Sequence, residues 1–173
     1  MSSRCFIATT AVLGAAILIL ELDSEAMGQE VWSGRTLFFE KADFADWTLE
    51  GNEDRITDNV WITRQNTRGI FNIAQESSYT NDLSPADTEW ATGDAVDWAS
   101  LTFQTWEQWH GSNPPGSVGV DAVVHLITDD IYIDIRFESW TSGGLGGGFS
   151  YYRAPDVTPV EYGTWSVIKA FYQ

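Results

Sequence analysis

Apolar and polar residues alternate in short runs along most of the chain, and turn-forming residues separate the runs. Alternation with a period of two is typical of strands that bury one face, and helical periodicity is scarce. We therefore predict an all-β fold, an antiparallel β-sandwich or jelly roll, over residues 29–157. The predicted strands are Val31–Glu40, Asp46–Glu50, Val60–Arg64, Ile70–Ala74, Glu89–Thr92, Ala99–Trp106, Val118–Thr128, Ile131–Trp140 and Gly148–Arg153.

The clearest local prediction is a hairpin around the dipeptide Asp129-Asp130. A two-residue loop would place Leu126 opposite Ile133 and His125 opposite Asp134. Because opposed residues share a face, one face of this hairpin is apolar and is expected to lie in the core. Asp-Asp is a less favoured turn than Asn-Gly, so a longer loop could shift the register.

A glycine-rich stretch over residues 143–148 precedes the last predicted strand. It does not have the spacing of a phosphate-binding loop, and no Lys-Ser/Thr pair follows it. We interpret it as a turn whose glycines permit positive φ or a close approach of another backbone segment.

Residues 1–28 have the features of an export signal. Arg4 precedes an apolar run from Cys5 to Leu20, and small residues lead up to a predicted cleavage site after Gly28. The run is short for a membrane span, which needs about 20 residues, although an uncleaved anchor is the alternative. Cleavage would remove the only cysteine, so the mature chain would contain no disulfide. The chain is thus expected to be secreted, extracellular, at the cell surface or periplasmic, with no membrane span after cleavage.

The C-terminal segment, residues 158–173, differs from the rest of the chain. Its sequence TWSVIKAFYQ fits a short helix with Thr164 as the N-cap, and it fits a strand equally well. Either it is a terminal element packed on the domain, or it is a docking or sorting segment.

Charge restricts the partners. The chain has 9 Lys and Arg against 25 Asp and Glu, for a net charge of −16. Nucleic acid is not an expected partner, because binding phosphates requires Lys and Arg to displace counterions. An anionic membrane surface would repel the chain as well. Nine tryptophans provide enough apolar surface to exclude a long disordered chain.

The sequence offers only weak catalytic candidates. An imidazole–carboxylate pair of His125 and Asp134 could orient a general base. No Gly-x-Ser-x-Gly motif or reactive cysteine supplies a nucleophile, so a polar cross-strand pair is the favoured interpretation. Paired carboxylates for glycoside cleavage have almost no specificity in so acidic a chain.

Calcium is the metal best suited to this composition. There are two histidines and no His-Glu-x-x-His motif, which argues against a zinc enzyme. Acidic loops could supply oxygen ligands for Ca²⁺, although solvated loops are the alternative. The candidates are Asp129 with Asp130, Asp94 with Asp97, Asn52 with Asp54 and Asp58, and Asp82 with Asp87 and Glu89.

The abundance of tryptophan suggests a ligand-binding surface. Trp106 and Trp109 are expected to be partly exposed, together with His110 and the Asn-Pro-Pro-Gly loop that follows. Aromatic faces beside polar groups suit the C–H faces and hydroxyls of sugars. Tyr132 and Trp140 complete the candidate ligand-binding set. The alternative is that most tryptophans lie in the core.

Two long strings carry a resemblance to known proteins. DRITDNVWITRQNTRGIFNIAQE (Asp54–Glu76) and AVVHLITDDIYIDIRFESWTSGGLGGGFSYYRA (Ala122–Ala154) resemble a β-domain family of secreted bacterial proteins to which no activity has been assigned. The resemblance covers most of residues 31–154. It implies an exported all-β module and supplies no active-site residue.

Three functional hypotheses follow. The first is a non-catalytic module that acts by surface contact, as a component of a cell surface, a matrix or a fibre. Its partner would be an extracellular glycan, a protein surface or another copy of the chain. The second is a carbohydrate-binding module that uses exposed tryptophans, with structural calcium as a possible cofactor. The third, the least supported, is a carboxylate-dependent hydrolase.

Overall fold

A computed structural model describes residues 29–156 of the chain. Nine strands lie in this range: β1 (Glu30–Trp32), β2 (Leu37–Lys41), β3 (Asp54–Arg55), β4 (Trp61–Arg64), β5 (Ile70–Asn72), β6 (Thr88–Thr92), β7 (Asp121–Leu126), β8 (Ile131–Trp140) and β9 (Phe149–Arg153). One short α-helix, α1 (Trp106–Trp109), and three 3₁₀ segments, Glu50–Asn52, Ala95–Ser100 and Pro114–Ser117, complete the elements. The all-β prediction is confirmed.

The strands form two sheets. The larger sheet has the order β2-β9-β8-β7-β6, in which every neighbouring pair is antiparallel. β1 joins it as a parallel partner of β8, with Glu30 opposite Ile131. β9 pairs with the later part of β8, from Ile135 onward, so β1 and β9 share one side of that strand. The smaller sheet has the antiparallel order β3-β4-β5.

Both sheets contribute to one principal core. The smaller sheet contributes Ile62 and Ile70, and Val60, which directly precedes β4, joins them. The larger sheet contributes Trp90, Ala122, Val124, Leu126, Ile131, Ile133, Ile135, Phe137, Phe149 and Tyr151. Burial of each large apolar side chain contributes about 1.5–3 kcal/mol. Every second residue of β7, and of β8 as far as Phe137, is apolar and lies in this core, so the alternation determines which face of the larger sheet packs against the smaller sheet.

The opposite face of the larger sheet is also covered. Val123 and Tyr132 are buried there with Ala95, which begins a 3₁₀ segment, and Trp98 and Leu101 pack against them. This second, smaller core explains why β7 and β8 bury residues on both faces.

The hairpin of β7 and β8 has the predicted faces and a different register. Leu126 lies opposite Ile131, and His125 lies opposite Tyr132. The predicted pairing of His125 with Asp134 is therefore wrong. The cause is a four-residue connection, 127–130, in which Asp130 has a φ of 54°. A connection longer by two residues shifts the register by two positions and leaves each side chain on its predicted face.

Two predicted strands are absent from the described residues. Asp46–Glu50 forms a turn that leads into a 3₁₀ segment. In Ala99–Trp106, only Gln104 makes an isolated bridge, to Trp90, and α1 then begins at Trp106. The Thr105 side chain caps this helix by accepting a hydrogen bond from the Gln108 N–H at 3.4 Å.

A buried ion pair connects the two sheets. Arg153 of β9 donates Nε and Nη2 to the two carboxylate oxygens of Asp54 in β3, at 2.7 and 2.8 Å. The Tyr151 hydroxyl donates to the same carboxylate at 2.7 Å. Burial raises the pKa of Tyr151 well above its usual value, so this phenol remains a hydrogen-bond donor. Burial lowers the pKa of Arg153, but the hydrogen bond and the charge of Asp54, with smaller contributions from Tyr151 and Asp156, together raise it above its usual value.

The glycine-rich stretch makes the predicted close backbone approach. Gly147 has a φ of 68°, and a Cβ atom built on it would overlap the Gln65 carbonyl oxygen. Two buried cations bind the carbonyls of this stretch: Lys41 Nζ contacts Gly147 O at 3.5 Å, and Arg64 Nη1 donates to Gly148 O at 3.0 Å. The stretch is therefore fixed against the turn after β4.

The predicted export signal, residues 1–28, and the tail, residues 158–173, lie outside the described residues. Both remain predictions. Within residues 29–156, no helix has the length and apolar character needed to cross a membrane.

Candidate functional site

A cavity of about 360 Å³ opens where the turn after β4, helix α1 and the end of β8 meet. Three of the predicted ligand-binding residues, Trp106, His110 and Trp140, line it together. The other lining residues are Arg64, Thr67, Arg68, Gly69, Tyr79, Asn81, Glu107, Ser112, Pro114, Pro115, Ser142, Gly143 and Gly144. This volume lies in the range of small-molecule binding sites.

Aromatic rings form one wall of the cavity. The ring centroids of Trp106 and Trp140 are 5.4 Å apart, and His110 lies edge-on to Trp106 at 4.0 Å. The prediction of partial exposure is wrong for Trp106, which is 1% exposed and belongs to the principal core. Trp140 is half-buried. All the tryptophans in residues 29–156 are buried or half-buried.

A buried cation lies beside this wall. The Arg64 guanidinium lies over the Trp140 ring at 3.8 Å from its centroid. It donates Nε to Arg68 O at 2.8 Å, in addition to the bond from Nη1 to Gly148 O. Burial lowers the pKa of Arg64 to about 10, so the side chain is charged at neutral pH.

A carboxylate of α1 fixes another part of the lining. Glu107 Oε2 accepts hydrogen bonds from the Tyr79 hydroxyl and from the Asp82 N–H, both at 2.7 Å. The bond from Tyr79 is the main reason that the pKa of Glu107 lies below its usual value, and the Asp82 N–H adds to the effect. The pKa of Tyr79 is raised, mainly by burial and next by the hydrogen bond to Glu107. The pair thus ties α1 to the loop that carries Tyr79.

This pair leads to a pH-dependent prediction. A carboxyl whose pKa is lowered by folding stabilises the protein above its unfolded pKa, here 4.5, and loses that contribution as the pH falls through the lowered value. We expect Glu107→Gln to reduce the free energy of unfolding near pH 7, with the difference from the wild type shrinking below pH 4.5. Urea unfolding at a series of pH values measures this difference. Tyr79→Phe removes the same hydrogen bond, so its difference in unfolding free energy from the wild type should also shrink as the pH falls. A difference in unfolding free energy that does not change with pH would contradict the prediction.

Two buried polar groups in the wall have no partner. Among the described residues, neither Trp106 Nε1 nor either ring nitrogen of His110 has a hydrogen bond. Burial lowers the pKa of His110, so its imidazole is neutral at pH 7. Buried donors and acceptors are normally satisfied, so these unpartnered nitrogens depart from the usual pattern.

Trp109 lies next to this cavity. It stacks on Trp90 with a centroid distance of 5.7 Å and donates Nε1 to Thr92 Oγ1 at 3.0 Å. It lines a second cavity of about 240 Å³, and His110 borders both cavities. Four of the five predicted ligand-binding residues therefore cluster around α1 and the end of β8.

Tyr132, the fifth, lies on the other face of the larger sheet. It stacks on His125 with a centroid distance of 4.0 Å and an interplanar angle of 2°. His125 Nδ1 contacts Glu89 Oε1 at 2.8 Å, and Nε2 contacts Asp130 Oδ1 at 3.2 Å. With both nitrogens engaged, the imidazole has no free position for a general base.

Asp134, the other weak catalytic candidate, does not contact His125. Its carboxylate accepts hydrogen bonds from the Ala95 N–H at 2.7 Å and from the Gly34 N–H at 3.1 Å. It therefore anchors two backbone segments on the outer face of the larger sheet.

The acidic residues proposed for calcium are dispersed. Asp129 accepts bonds from the side chains of Thr57 and Asn59. Asp94 is paired with Arg35 at 3.0 Å, and Asp97 lies in the following 3₁₀ segment. Within residues 29–156, no group of three or more His, Cys, Asp or Glu side chains is arranged to hold a metal ion. Calcium binding remains a prediction.

Sequence reasoning missed Arg64, Arg68, Tyr79 and Glu107 as parts of this site. One signal was present for Arg64, since it follows Ile62 by two residues and therefore shares its core-facing side of β4. A second signal was the spacing of Trp106, Trp109 and His110, which is that of one helix face rather than of a strand. Tyr79 and Glu107 are joined across 28 positions, and no local pattern reveals such a contact.

Comparisons with known proteins give no relative. No protein-family model, curated protein or solved structure matches this chain.

Proposed function

We propose that the chain is an exported, non-catalytic binding module that recognises an extracellular carbohydrate in the cavity beside α1. The observation that carries the proposal is the convergence of Trp106, His110 and Trp140 on one cavity with polar side chains at its mouth. Recognition in such a site combines apolar contact with a few directed hydrogen bonds.

The rim of the cavity suits a polyhydroxylated ligand. Asn81, Ser112 and Ser142 are exposed and offer hydroxyl and amide groups, while Pro114 and Pro115 add apolar surface. Because the tryptophans are buried or half-buried, we expect contact with the end or side of a sugar chain rather than stacking along it.

Binding without catalysis is the favoured mode because Glu107, the carboxylate that lines the cavity, is committed to the fold. Glu107 accepts three hydrogen bonds, from Tyr79, Asp82 and Ser112. The export signal predicted over residues 1–28 and the resemblance to secreted bacterial domains support an extracellular setting. Under this proposal the partner is a glycan of a surface or matrix.

Isothermal titration calorimetry against a panel of neutral and acidic polysaccharides tests the proposal. We expect at least one glycan to bind the mature chain, and Ser142→Trp to weaken that binding about tenfold or more because the indole would occupy the mouth of the cavity. Ser33→Trp is the matched control, since Ser33 is exposed and does not line the cavity. Absence of binding across the panel, or equal loss in both variants, would count against the proposal.

A further inference from the structure

Arg64 is a buried charge that lacks a counterion. Its side chain is 2% exposed, yet none of the described carboxylates lies within ion-pair distance of its guanidinium. The other buried arginine, Arg153, has a bidentate carboxylate partner. Burying a charge is costly, and buried charges are normally paired. Arg64 therefore departs from the rule that buried charges are paired, and it does so at the wall of the cavity.

The guanidinium retains free donors. A guanidinium has five N–H groups. One, at Nε, is used by Arg68 O, and one of the two at Nη1 is used by Gly148 O. The second N–H of Nη1 and both of Nη2 have no hydrogen-bond partner among the described residues. This Nη1–Nη2 end is the edge that binds a carboxylate through two parallel hydrogen bonds.

The surroundings of Arg64 strengthen the local positive field. Lys41 is also fully buried, and the charge of Arg64 contributes to the lowering of its pKa after desolvation. Arg68 is exposed at the mouth of the same cavity. Asp43 partly offsets this field, but its carboxylate is engaged by the Gly148 N–H at 2.8 Å. In a chain with a net charge of −16, this concentration of positive charge is local.

We propose that the cavity recognises a carboxylated sugar, a hexuronate, whose carboxylate binds the Nη1–Nη2 edge of Arg64 while its hydroxyls bond the polar rim. This inference rests on the proposed function and specifies its ligand class. A planar carboxylate matches the guanidinium edge through two parallel hydrogen bonds. A neutral sugar would leave the charge unpaired.

The decisive comparison uses the wild-type chain with an acid and its methyl ester, which differ in charge and by one methyl group on each sugar, and with a sulfated tetramer as the third ligand. An oligogalacturonate tetramer is titrated into ¹⁵N-labelled protein beside its methyl ester and a sulfated galactan tetramer, and amide shifts report both affinity and location. We expect the acid to bind about tenfold or more tightly than the ester, with shifts centred on the residues around Arg64. The same measurement on an oligoglucuronate shows whether the preference extends to other hexuronates.

The outcomes separate the two proposals. Equal affinity for acid and ester overturns the hexuronate inference and leaves carbohydrate binding in place, whereas no binding by any tetramer or by the polysaccharide panel removes both. Tighter binding of the sulfated tetramer overturns the preference for carboxylate.

Variants identify the responsible arginine. Arg64→Gln should abolish the preference for acid over ester, whereas the exposed Arg68→Gln should reduce it less than threefold. The opposite ranking overturns the assignment to Arg64. If Arg64→Gln does not fold, Arg64→Lys, which keeps the charge and lacks the two-pronged edge, should lower the acid-to-ester ratio, and an unchanged ratio overturns the assignment.

Discussion

Replacing Asp54 with asparagine is expected to lower the free energy of unfolding by about 3–5 kcal/mol, because removing one partner of a buried ion pair leaves an uncompensated charge. Asp54 accepts two hydrogen bonds from the Arg153 guanidinium and one from the Tyr151 hydroxyl. The substitution would therefore weaken a buried polar link between the two sheets. Urea unfolding at pH 7, followed by tryptophan fluorescence, measures the change.

Asp94→Asn is the matched control for this experiment. Its carboxylate pairs with Arg35 at 3.0 Å, but the Asp94 side chain is 61% exposed. Exposed pairs contribute about 0.2–1 kcal/mol, because water solvates each partner in the unfolded state and in the variant. Similar losses in the two variants would show that burial of the Asp54 pair is not what makes it strong.

Replacing Gly147 with alanine is expected to destabilise the chain by about 2–5 kcal/mol. Two costs combine. The φ of 68° is unfavourable for a residue with a side chain, and the new Cβ would overlap the backbone oxygen of Gln65. Because the obstacle is backbone rather than the end of a flexible side chain, relief requires the glycine-rich stretch to move away from the turn after β4. Thermal and urea unfolding report the loss.

Gly143→Ala isolates the first of these costs. Gly143 has a φ of 63° in the same stretch, and a Cβ built on it meets nothing within 4 Å. We expect a loss of about 1–2 kcal/mol, from the backbone conformation alone. If both variants lose the same stability, the overlap with Gln65 is not a significant constraint.

The sequence predicted the faces of the sheet better than its pairings. In β7 and β8 the period of two places Val124 and Ile133 in the core whatever the length of the connection, because shifting by an even number of residues preserves the face. The register depends on the connection itself, and Asp129-Asp130 does not specify a two-residue turn. The short strand β3 is not among the predicted strands, because two residues show no alternation and the partner of Asp54, Arg153, lies 99 positions away.

The site was predictable only in part, for a related reason. Residue type identified Trp106, His110 and Trp140 as candidates, because aromatic and imidazole groups recur in binding sites. It did not predict that Trp106 would be buried or that Arg64 would face the same cavity. Those facts depend on how β4, α1 and the end of β8 come together, and each element is too short for its local pattern to encode its neighbours.

The arrangement around β8 has a consequence for how the molecule is assembled. β8 has β1, the first described strand, and β9, the last, on one side, and Leu37 of β2 in turn pairs with Arg153. When synthesis has reached only β7, β1 and β2 still lack their partners, β8 and β9. The sheet is therefore completed only after nearly all of this region has been synthesised. Chains dominated by such distant pairings fold in about milliseconds to seconds, as one cooperative unit.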